Sequence, residues 1–227
     1  LTDVVTQKAE RVLSTDYRGP VDGMITELEI MAWEIMDLEP PESLVTKRKG
    51  KTKKKIKKPN TKSSDYFNVI GGKTAQLFGA SAQSGAIVAN GSLQQVKAAF
   101  DYGYNMGLAF QIIDDIMDYS SSKTQMGKNQ GDDFKLGKTT LPIILAWEKS
   151  NKLEREFFLK SLQELKQEKG DFEKCCEILK KYSILNRCKK IANDFVIKAI
   201  NVLNEFSEND YKKALIELAN SSLSRDN

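Results

Sequence analysis

Three aspartates, Asp114, Asp115 and Asp118, form a D-D-x-x-D pattern and are the residues of this sequence best suited to chemistry. At 3.6 residues per turn they share one helix face with Gln111, and apolar residues cover the opposite side. Like charges one turn apart repel each other, so the spacing favours a bound cation. Mg²⁺ suits such a cluster because it binds through carboxylates and completes its shell with water and phosphate oxygens. A solvated acidic helix end explains this pattern equally well.

A glycine-rich loop with lysines follows the aspartates. Lys128 and Lys138 each follow a glycine, Asp133 lies between them, and the loop ends in Thr-Thr-Leu-Pro at Pro142. Ammonium groups close to metal-binding carboxylates suit a diphosphate that is held between a cation and lysines. The loop therefore favours a functional interpretation of the aspartates over a solvated helix end.

The aspartates are predicted to lie in the last turns of a long helix. Ser92 and Gln95 have the spacing of a capping box, and the helical pattern continues to Tyr119, which predicts a helix over residues 93–119. Negative charge at a helix C-terminus costs roughly 0.5 kcal/mol per residue. Stability alone would not favour this placement, so it is a second indication of a cation.

A segment of small residues precedes that helix. Residues 64–89 are rich in Ala, Gly and Ser, and Asp65 is placed to cap a helix that carries Lys73 and Thr74. Small side chains let helices approach closely, so we expect this helix to be central and buried. Lys73 is either a surface lysine or a positive charge placed where an anionic leaving group departs.

The rest of the sequence also predicts helices. Apolar residues recur at helical spacing, and no alternating run bounded by turn residues indicates a strand. We expect an all-α fold, an antiparallel helical bundle, with residues 1–227 as a single domain. The predicted helices cover residues 1–18, 21–38, 64–89, 93–119, 143–150, 152–168, 171–182, 184–206 and 208–224. Four apolar residues are assigned to the core or to a dimer surface: Phe157, Phe158, Leu162 and Leu165.

The composition excludes several classes of chemistry. The chain has no histidine, which excludes a histidine-activated nucleophile and a histidine proton relay. Its three cysteines form no C-x-x-C pair, and their odd number fits a reducing cytoplasm. No apolar run is long enough to span a membrane, and the first residues show no signal-peptide pattern, so we expect a cytoplasmic protein. Carboxylates, lysines, hydroxyls and a metal ion are left for catalysis.

Residues 46–62 form a strongly basic segment. Nine of the twelve residues 47–58 are Lys or Arg, in a chain of net charge +4. Such a run repels itself and predicts a disordered surface loop. Contact with an anionic membrane is the alternative, since each basic residue near such a surface contributes about 1 kcal/mol. No aromatic residue separates the lysines, so stacking on nucleic-acid bases is not supported, and we expect no nucleic-acid partner.

Two motifs carry a resemblance to a known family. FQIIDDIMD at residues 110–118 and GKNQGDDFKLGKTTLP at residues 127–142 closely resemble the second aspartate-rich region of trans-isoprenyl diphosphate synthases. The likeness runs from about Tyr66 to the C-terminus and is strongest to the octaprenyl and decaprenyl synthases that make quinone side chains, as in ubiquinone biosynthesis. It implies a helical bundle of the isoprenoid-synthase type around a central cavity, an Mg²⁺-dependent prenyltransferase and a homodimer. The implied substrates are isopentenyl diphosphate and an allylic diphosphate of the farnesyl or geranyl type.

The resemblance also implies roles for individual residues. The implied metal-binding residues are Asp114, Asp115, Asp118 and Asp133, with Asp115 and Asp133 in supporting positions around about two or three Mg²⁺ ions. The implied catalytic residues are Lys73, Thr74, Gln111, Lys128 and Lys138. The three lysines would contact diphosphate, while Thr74 and Gln111 would stabilise a developing carbocation.

One part of the family pattern is missing from this sequence. Enzymes of this type carry two D-D-x-x-D helices, whereas these 227 residues contain one. We expect either that an N-terminal portion is missing or that the protein has lost it, and that this chain alone turns over little substrate. The alternatives are a non-catalytic partner subunit or truncated form of a prenyl diphosphate synthase, and a class I terpene cyclase. The Lys-Thr pair and the lysine loop argue against the cyclase.

Overall fold

The computed structural model describes residues 59–120 and 130–224, which form helices and turns without a β-strand. The predicted all-α fold is therefore confirmed in this part of the chain. The α-helices are α1 (Ser63–Ile70), α2 (Gln76–Val88), α3 (Leu93–Met117), α4 (Asp132–Lys135), α5 (Leu141–Lys149), α6 (Lys152–Phe158), α7 (Asp171–Lys181), α8 (Ile184–Val202) and α9 (Asp210–Ser221). Shorter turns are π-helical at Gly71–Ala75 and Leu159–Gln163, and 3₁₀-helical at Leu203–Glu205 and Ser222–Ser224.

Several sequence predictions concern residues outside these ranges. They are the helices at residues 1–18 and 21–38, residues 46–58 of the basic segment, and Lys128. The assignment of residues 1–227 to a single domain also stays a prediction.

Helix α3 is the central element, and it begins where the sequence predicts. The Gln95 N–H donates to Ser92 Oγ at 3.3 Å, and the Ser92 N–H donates to Gln95 Oε1 at 2.9 Å, which completes the capping box. The helix ends at Met117, two residues before the predicted end at Tyr119. Helix α3 packs mainly against α2 on one side and α8 on the other.

The close approach of α2 and α3 depends on glycines of α3. A Cβ atom on Gly103 would lie 2.2 Å from the Phe78 carbonyl oxygen, and one on Gly107 would lie 2.6 Å from Ala75 Cα. Higher residue numbers on α3 thus meet lower ones on α2 and on the turn before it, so the two helices are antiparallel. Small residues therefore allow the close packing that the sequence predicts. The prediction that this helix is buried holds for only two residues of α2, Gly79 and Ala80, and the rest of α2 is partly or fully exposed.

A hydrophobic core joins α3 to the helices that follow it. Ile112 and Ile116 of α3 belong to one cluster with Ile143 and Ile144 of α5 and with Phe158. A smaller cluster joins α3 to α8, α9 and the turn between them through Tyr102, Met106, Val196, Ala199, Leu203 and Ala219. The α3 residues of these clusters lie mainly on its apolar side, so the later helices hold α3 in place through that side.

A cavity of about 430 Å³ lies between α3 and α8. Its lining residues are Ile113, Lys189, Lys190, Asn193, Asp194 and Leu223. None of the predicted site residues lines this cavity, so it is distinct from the central cavity that the resemblance implies.

In the part of the chain that the structure describes, no helix has the length and apolar composition needed to cross a membrane.

Two local predictions are wrong. The N-cap of α1 is Lys62, and Asp65 lies inside the first turn, where its charge still favours the helix N-terminus. The predicted helix 152–168 ends earlier, because α6 stops at Phe158 and one π turn follows. Gln167 Nε2 donates to the Ser161 and Phe134 carbonyl oxygens at 2.9 and 2.8 Å, which ties the chain toward α4.

The core assignment in this segment holds for three of its four apolar residues. Phe157, Phe158 and Leu162 are buried, as predicted. Leu165 is 54% exposed and has a φ of +55°, so it lies beyond the helix and outside the core.

Candidate active site

Lys73 and Thr74 lie in the π turn Gly71–Ala75, between α1 and α2. The sequence predicts one uninterrupted helix here, so this turn is a structural finding. A π turn inside a longer helix is rare and often marks a functional site, because it changes the direction in which side chains leave the helix. Lys73 is exposed, while Thr74 is half-buried and faces α3.

A chain of hydrogen bonds links this turn to the aspartate helix. Thr74 Oγ1 donates to Gln111 Oε1 at 3.0 Å, and Gln111 Nε2 donates to Asp115 Oδ1 at 3.1 Å. Tyr66 of α1 donates its hydroxyl to Asp115 Oδ2 at 2.7 Å. We call these four residues the Tyr66–Thr74 chain. It brings together three residues that the sequence predicts as functional and adds Tyr66, which the sequence analysis missed.

Asp115 is the most deeply buried carboxyl group of this region, at 4% exposure. The pKa of Asp115 is raised to about 7, chiefly by burial, and the charges of Asp133 and Asp114 contribute in the same direction. The hydrogen bonds from Tyr66 and Gln111 act in the opposite direction. Burial also raises the pKa of the Tyr66 hydroxyl well above its ordinary value, so Tyr66 stays a hydrogen-bond donor.

Asp118 connects the end of α3 to the start of α4. Its Oδ1 and Oδ2 accept the backbone N–H groups of Asp132 and Asp133, each at 3.1 Å. The carbonyl oxygen of Asp118 accepts the N–H of Gly131 at 3.1 Å, and Gly131 has a φ of +79° that favours glycine. Burial raises the pKa of Asp118, and nearby Asp133 adds to the effect. The backbone N–H groups of Asp132 and Asp133 therefore stabilise part of the negative charge of Asp118. The sequence analysis predicted that a bound cation would stabilise this charge.

Lys138 lies beside the same acidic groups. Its ammonium group bonds Asp133 Oδ1 at 2.5 Å, and Gly137, with a φ of +65°, turns the chain just before it. The hydrogen bond to Asp133 raises the pKa of Lys138, and the charges of Asp133, Asp118 and Asp115 contribute in the same direction. Lys138 therefore places a positive charge next to the predicted metal-binding carboxylates.

Comparisons with known proteins agree with this arrangement. Residues 23–179 match the family model described as "Polyprenyl synthetase". The chain belongs to this family. The match covers both the turn that carries Lys73 and the segment from Gln111 to Lys138.

Individual relatives support the same family assignment. The chain is 35% identical over 170 residues to octaprenyl diphosphate synthase of Haemophilus influenzae, covering 75% of this chain and 51% of the relative. It is 33% identical over 171 residues to the octaprenyl diphosphate synthase of Escherichia coli, covering 75% of this chain and 53% of the relative. The chain thus spans about half the length of these curated relatives.

Solved structures share the fold. A polyprenyl synthase from Caulobacter crescentus, in complex with calcium and isoprenyl diphosphate, superimposes with a TM-score of 0.75 at 32% identity, covering 96% of this chain and 62% of that one. A decaprenyl diphosphate synthase from Rhodobacter capsulatus gives a TM-score of 0.72 at 26% identity, covering 98% of this chain and 84% of that one. The helical isoprenoid-synthase architecture predicted from the resemblance is confirmed.

The structure brings the predicted residues of this polyprenyl synthetase family member together in two groups. The Tyr66–Thr74 chain contains Thr74, Gln111 and Asp115, and a second group contains Asp118, Asp133 and Lys138. Asp114 is half-buried on α3 between them, and Lys73 is exposed on the π turn. For Tyr66, the general rule that a buried tyrosine hydroxyl needs a polar partner predicts a partner but does not say which residue it is. Its partner lies 49 residues away in the sequence, so no local pattern identifies it.

The donor chemistry of the aspartates fits Mg²⁺. Within residues 59–120 and 130–224, no group of three or more His, Cys, Asp or Glu side chains is arranged to hold a metal ion. Carboxylate oxygens are nevertheless the donors that Mg²⁺ prefers, and each can accept more than one bond. Asp118 can therefore contact a cation and keep its backbone donors. The metal-binding roles of Asp114, Asp115, Asp118 and Asp133 stay predictions.

Replacing Asp118 by Ala should destabilise the protein by about 2 kcal/mol, because two backbone N–H groups lose a charged acceptor. The repulsion between Asp118 and Asp133 is relieved at the same time, which keeps the loss from being larger. Asp118→Asn is the matched control, since its amide oxygen still accepts one hydrogen bond, and we expect a smaller loss. Urea denaturation without metal measures the free energy of unfolding of both variants. Equal stability of Asp118→Ala and wild type would contradict the role of Asp118 as acceptor for the first N–H groups of α4.

Burial of Asp115 should make stability depend on pH. Its pKa is about 7 in the folded protein and near the ordinary value of 3.8 in the unfolded chain. Between these values the unfolded chain has released the proton while the folded protein retains it, so the free energy of unfolding falls as pH rises. We expect the wild type to lose stability relative to Asp115→Asn between about pH 4 and pH 7. Urea denaturation in EDTA at several pH values measures this difference, and a pH-independent difference would contradict the prediction.

Proposed function

We propose that the protein is a trans-prenyltransferase that adds isopentenyl diphosphate units to an allylic farnesyl or geranyl diphosphate. The product would be a long-chain all-trans polyprenyl diphosphate of the kind that supplies quinone side chains. The names of its relatives support this reaction class. The observation that carries the proposal is the hydrogen bond from Thr74 to Gln111, since it joins the Lys73 turn to the aspartate helix. A diphosphate-binding lysine and the carboxylates would then face the same substrate.

The carboxylates and lysines would bind the diphosphate groups. Asp114 and Asp118 would hold Mg²⁺, with Asp115 and Asp133 in support. The bound ion supplies Lewis-acid stabilisation of diphosphate oxygens. Lys73, Lys128 and Lys138 would neutralise the remaining charge of the leaving group.

The next steps would use the same residues. The allylic C–O bond breaks, its electron pair leaves with the diphosphate, and Thr74 and Gln111 direct oxygen atoms toward the resulting cation. The double bond of isopentenyl diphosphate then attacks this cation, and the departing diphosphate accepts the proton that is lost. This sequence suits a chain without histidine, because neither step needs an imidazole base.

Partners and location belong to the same proposal. A homodimer, a cytoplasmic location and contact of residues 46–62 with the membrane that receives the oily product are expectations from the sequence. A complete site also needs groups that bind isopentenyl diphosphate, and we expect the 227 residues alone to be much less active than a chain with a second D-D-x-x-D helix.

A prenyl-transfer assay tests the proposal. The protein from its complete reading frame is incubated with Mg²⁺, farnesyl diphosphate and radiolabelled isopentenyl diphosphate, and the dephosphorylated products are separated by chain length. We expect a labelled long-chain polyprenol that disappears when EDTA is added. Binding of Mg²⁺-diphosphate without elongation would instead indicate a non-catalytic subunit, and a cyclic hydrocarbon would indicate a cyclase. Either result would overturn the proposed function.

A further inference from the structure

The Tyr66–Thr74 chain has a defined direction. Tyr66 is 3% exposed, and its hydroxyl donates to one oxygen of Asp115. The other oxygen of Asp115 accepts a hydrogen bond from the Gln111 amide nitrogen. Both oxygens of Asp115 thus accept hydrogen bonds, and Gln111 presents its NH₂ group to Asp115. Gln111 then has its carbonyl oxygen on the side of Thr74.

This direction determines how Thr74 presents its hydroxyl group. The Gln111 carbonyl oxygen can only accept, so the Thr74 hydroxyl donates its single proton to it. The lone pairs of Thr74 Oγ1 are then available on the side away from Gln111. An oxygen that presents lone pairs stabilises a nearby positive charge, whereas one that presents a proton destabilises it.

Asp115 differs from Asp114 in its hydrogen bonds and burial. Both oxygens of Asp115 accept hydrogen bonds from other residues of the protein, and its side chain is almost fully buried. Asp114, on the same helix, is only half-buried. The contacts of Asp115 are therefore those of a group that orients Gln111, and they leave direct metal contact to the other aspartates.

We propose that Tyr66 and Asp115 are positioning residues that fix the orientation of Gln111, so that Thr74 presents lone pairs to the carbocation. This inference rests on the proposed prenyl-transfer function. Tyr66 and Asp115 touch neither substrate; they act through Gln111 and Thr74. Removing the Tyr66 hydroxyl leaves a buried carboxylate oxygen without its donor, and such a group reorganises to regain a partner. Gln111 and Thr74 would then lose their single orientation.

Two substitutions test the orientation directly. Tyr66→Phe keeps the ring but removes the donor. Asp115→Asn keeps the shape, but its NH₂ group can face Gln111, which would reverse the amide and turn the Thr74 proton outward. At pH 8.5 in the complete protein with Mg²⁺, we expect each to lower kcat by about tenfold or more while KM for both diphosphates changes by less than about threefold.

A double-mutant cycle separates orientation from general stability. Thr74→Val removes the hydroxyl group that the chain orients, so adding Tyr66→Phe to Thr74→Val should cause little further loss of kcat. Tyr102→Phe is the matched control, because Tyr102 is also buried and donates to the Leu215 carbonyl oxygen at 2.8 Å, away from the site. We expect this control to keep the wild-type kcat.

The outcomes are distinguishable. Wild-type protein without prenyl transfer would overturn the proposed function together with this inference. With active wild type, an unchanged kcat in Tyr66→Phe, an additive effect in the cycle, or an equal loss in Tyr102→Phe would overturn the inference alone. If Tyr66→Phe does not fold, Asp115→Asn with Thr74→Val gives the same cycle, and additivity there would overturn it.

Discussion

Replacing Asp114 by Asn should lower prenyl transfer by about a thousandfold, the largest effect that we expect of any single substitution at the site. Asp114 lies one helical turn before Asp118 and is half-buried, whereas Asp115 is turned into the protein by Tyr66 and Gln111. Asp114 is therefore the first aspartate of the motif that can face a bound cation. The change to an amide keeps the shape but removes the negative charge that holds Mg²⁺.

The measurement is kcat/KM of the complete protein as a function of Mg²⁺ concentration. We expect more Mg²⁺ to be needed for half-maximal activity, with little change in thermal unfolding. Asp101→Asn is the matched control, because Asp101 is also a partly buried aspartate of α3 but lies more than three turns before Asp114. Full activity of Asp114→Asn would overturn the metal-binding role of this helix face.

Replacing Gly103 by Ala should destabilise the fold by roughly 3 kcal/mol. The added Cβ atom would lie 2.2 Å from the Phe78 carbonyl oxygen and 2.9 Å from Gly79 Cα, and both belong to the backbone of α2. A backbone cannot rotate away as a side chain can, so α2 and α3 must move apart. The gain in helix propensity, about 1 kcal/mol, is too small to compensate.

Gly85→Ala is the control for this substitution. Gly85 lies inside α2, and a Cβ atom there would meet no other atom within 4 Å. The same chemical change should therefore stabilise the protein by roughly 0.5–1 kcal/mol. Urea denaturation of the 227-residue chain compares the two variants with wild type. If Gly103→Ala were as stable as Gly85→Ala, α2 and α3 would not pack as closely as the structure shows.

The sequence by itself determined those features that depend on neighbouring residues. Ser92 and Gln95 form the cap of α3 because a capping box involves residues three apart, and helical spacing alone placed the aspartates on one face of α3. The apolar spacing of the later segments predicted α7, α8 and α9 to within a few residues. These features are local, and the all-α fold and the family resemblance follow from them.

The tertiary structure decided the features that depend on distant residues. The π turn that carries Lys73 and Thr74 interrupts a pattern that is helical on both sides, and Gly107 of α3 packs against its last residue, Ala75. Tyr66, which precedes Asp115 by 49 residues, donates a hydrogen bond to its buried carboxyl group. Asp118 stabilises the start of α4 by accepting the backbone N–H groups of Asp132 and Asp133. Identical aspartates of one motif thus have different partners. Residue type and spacing determine which groups are available, but burial and partners from other helices determine what each one does.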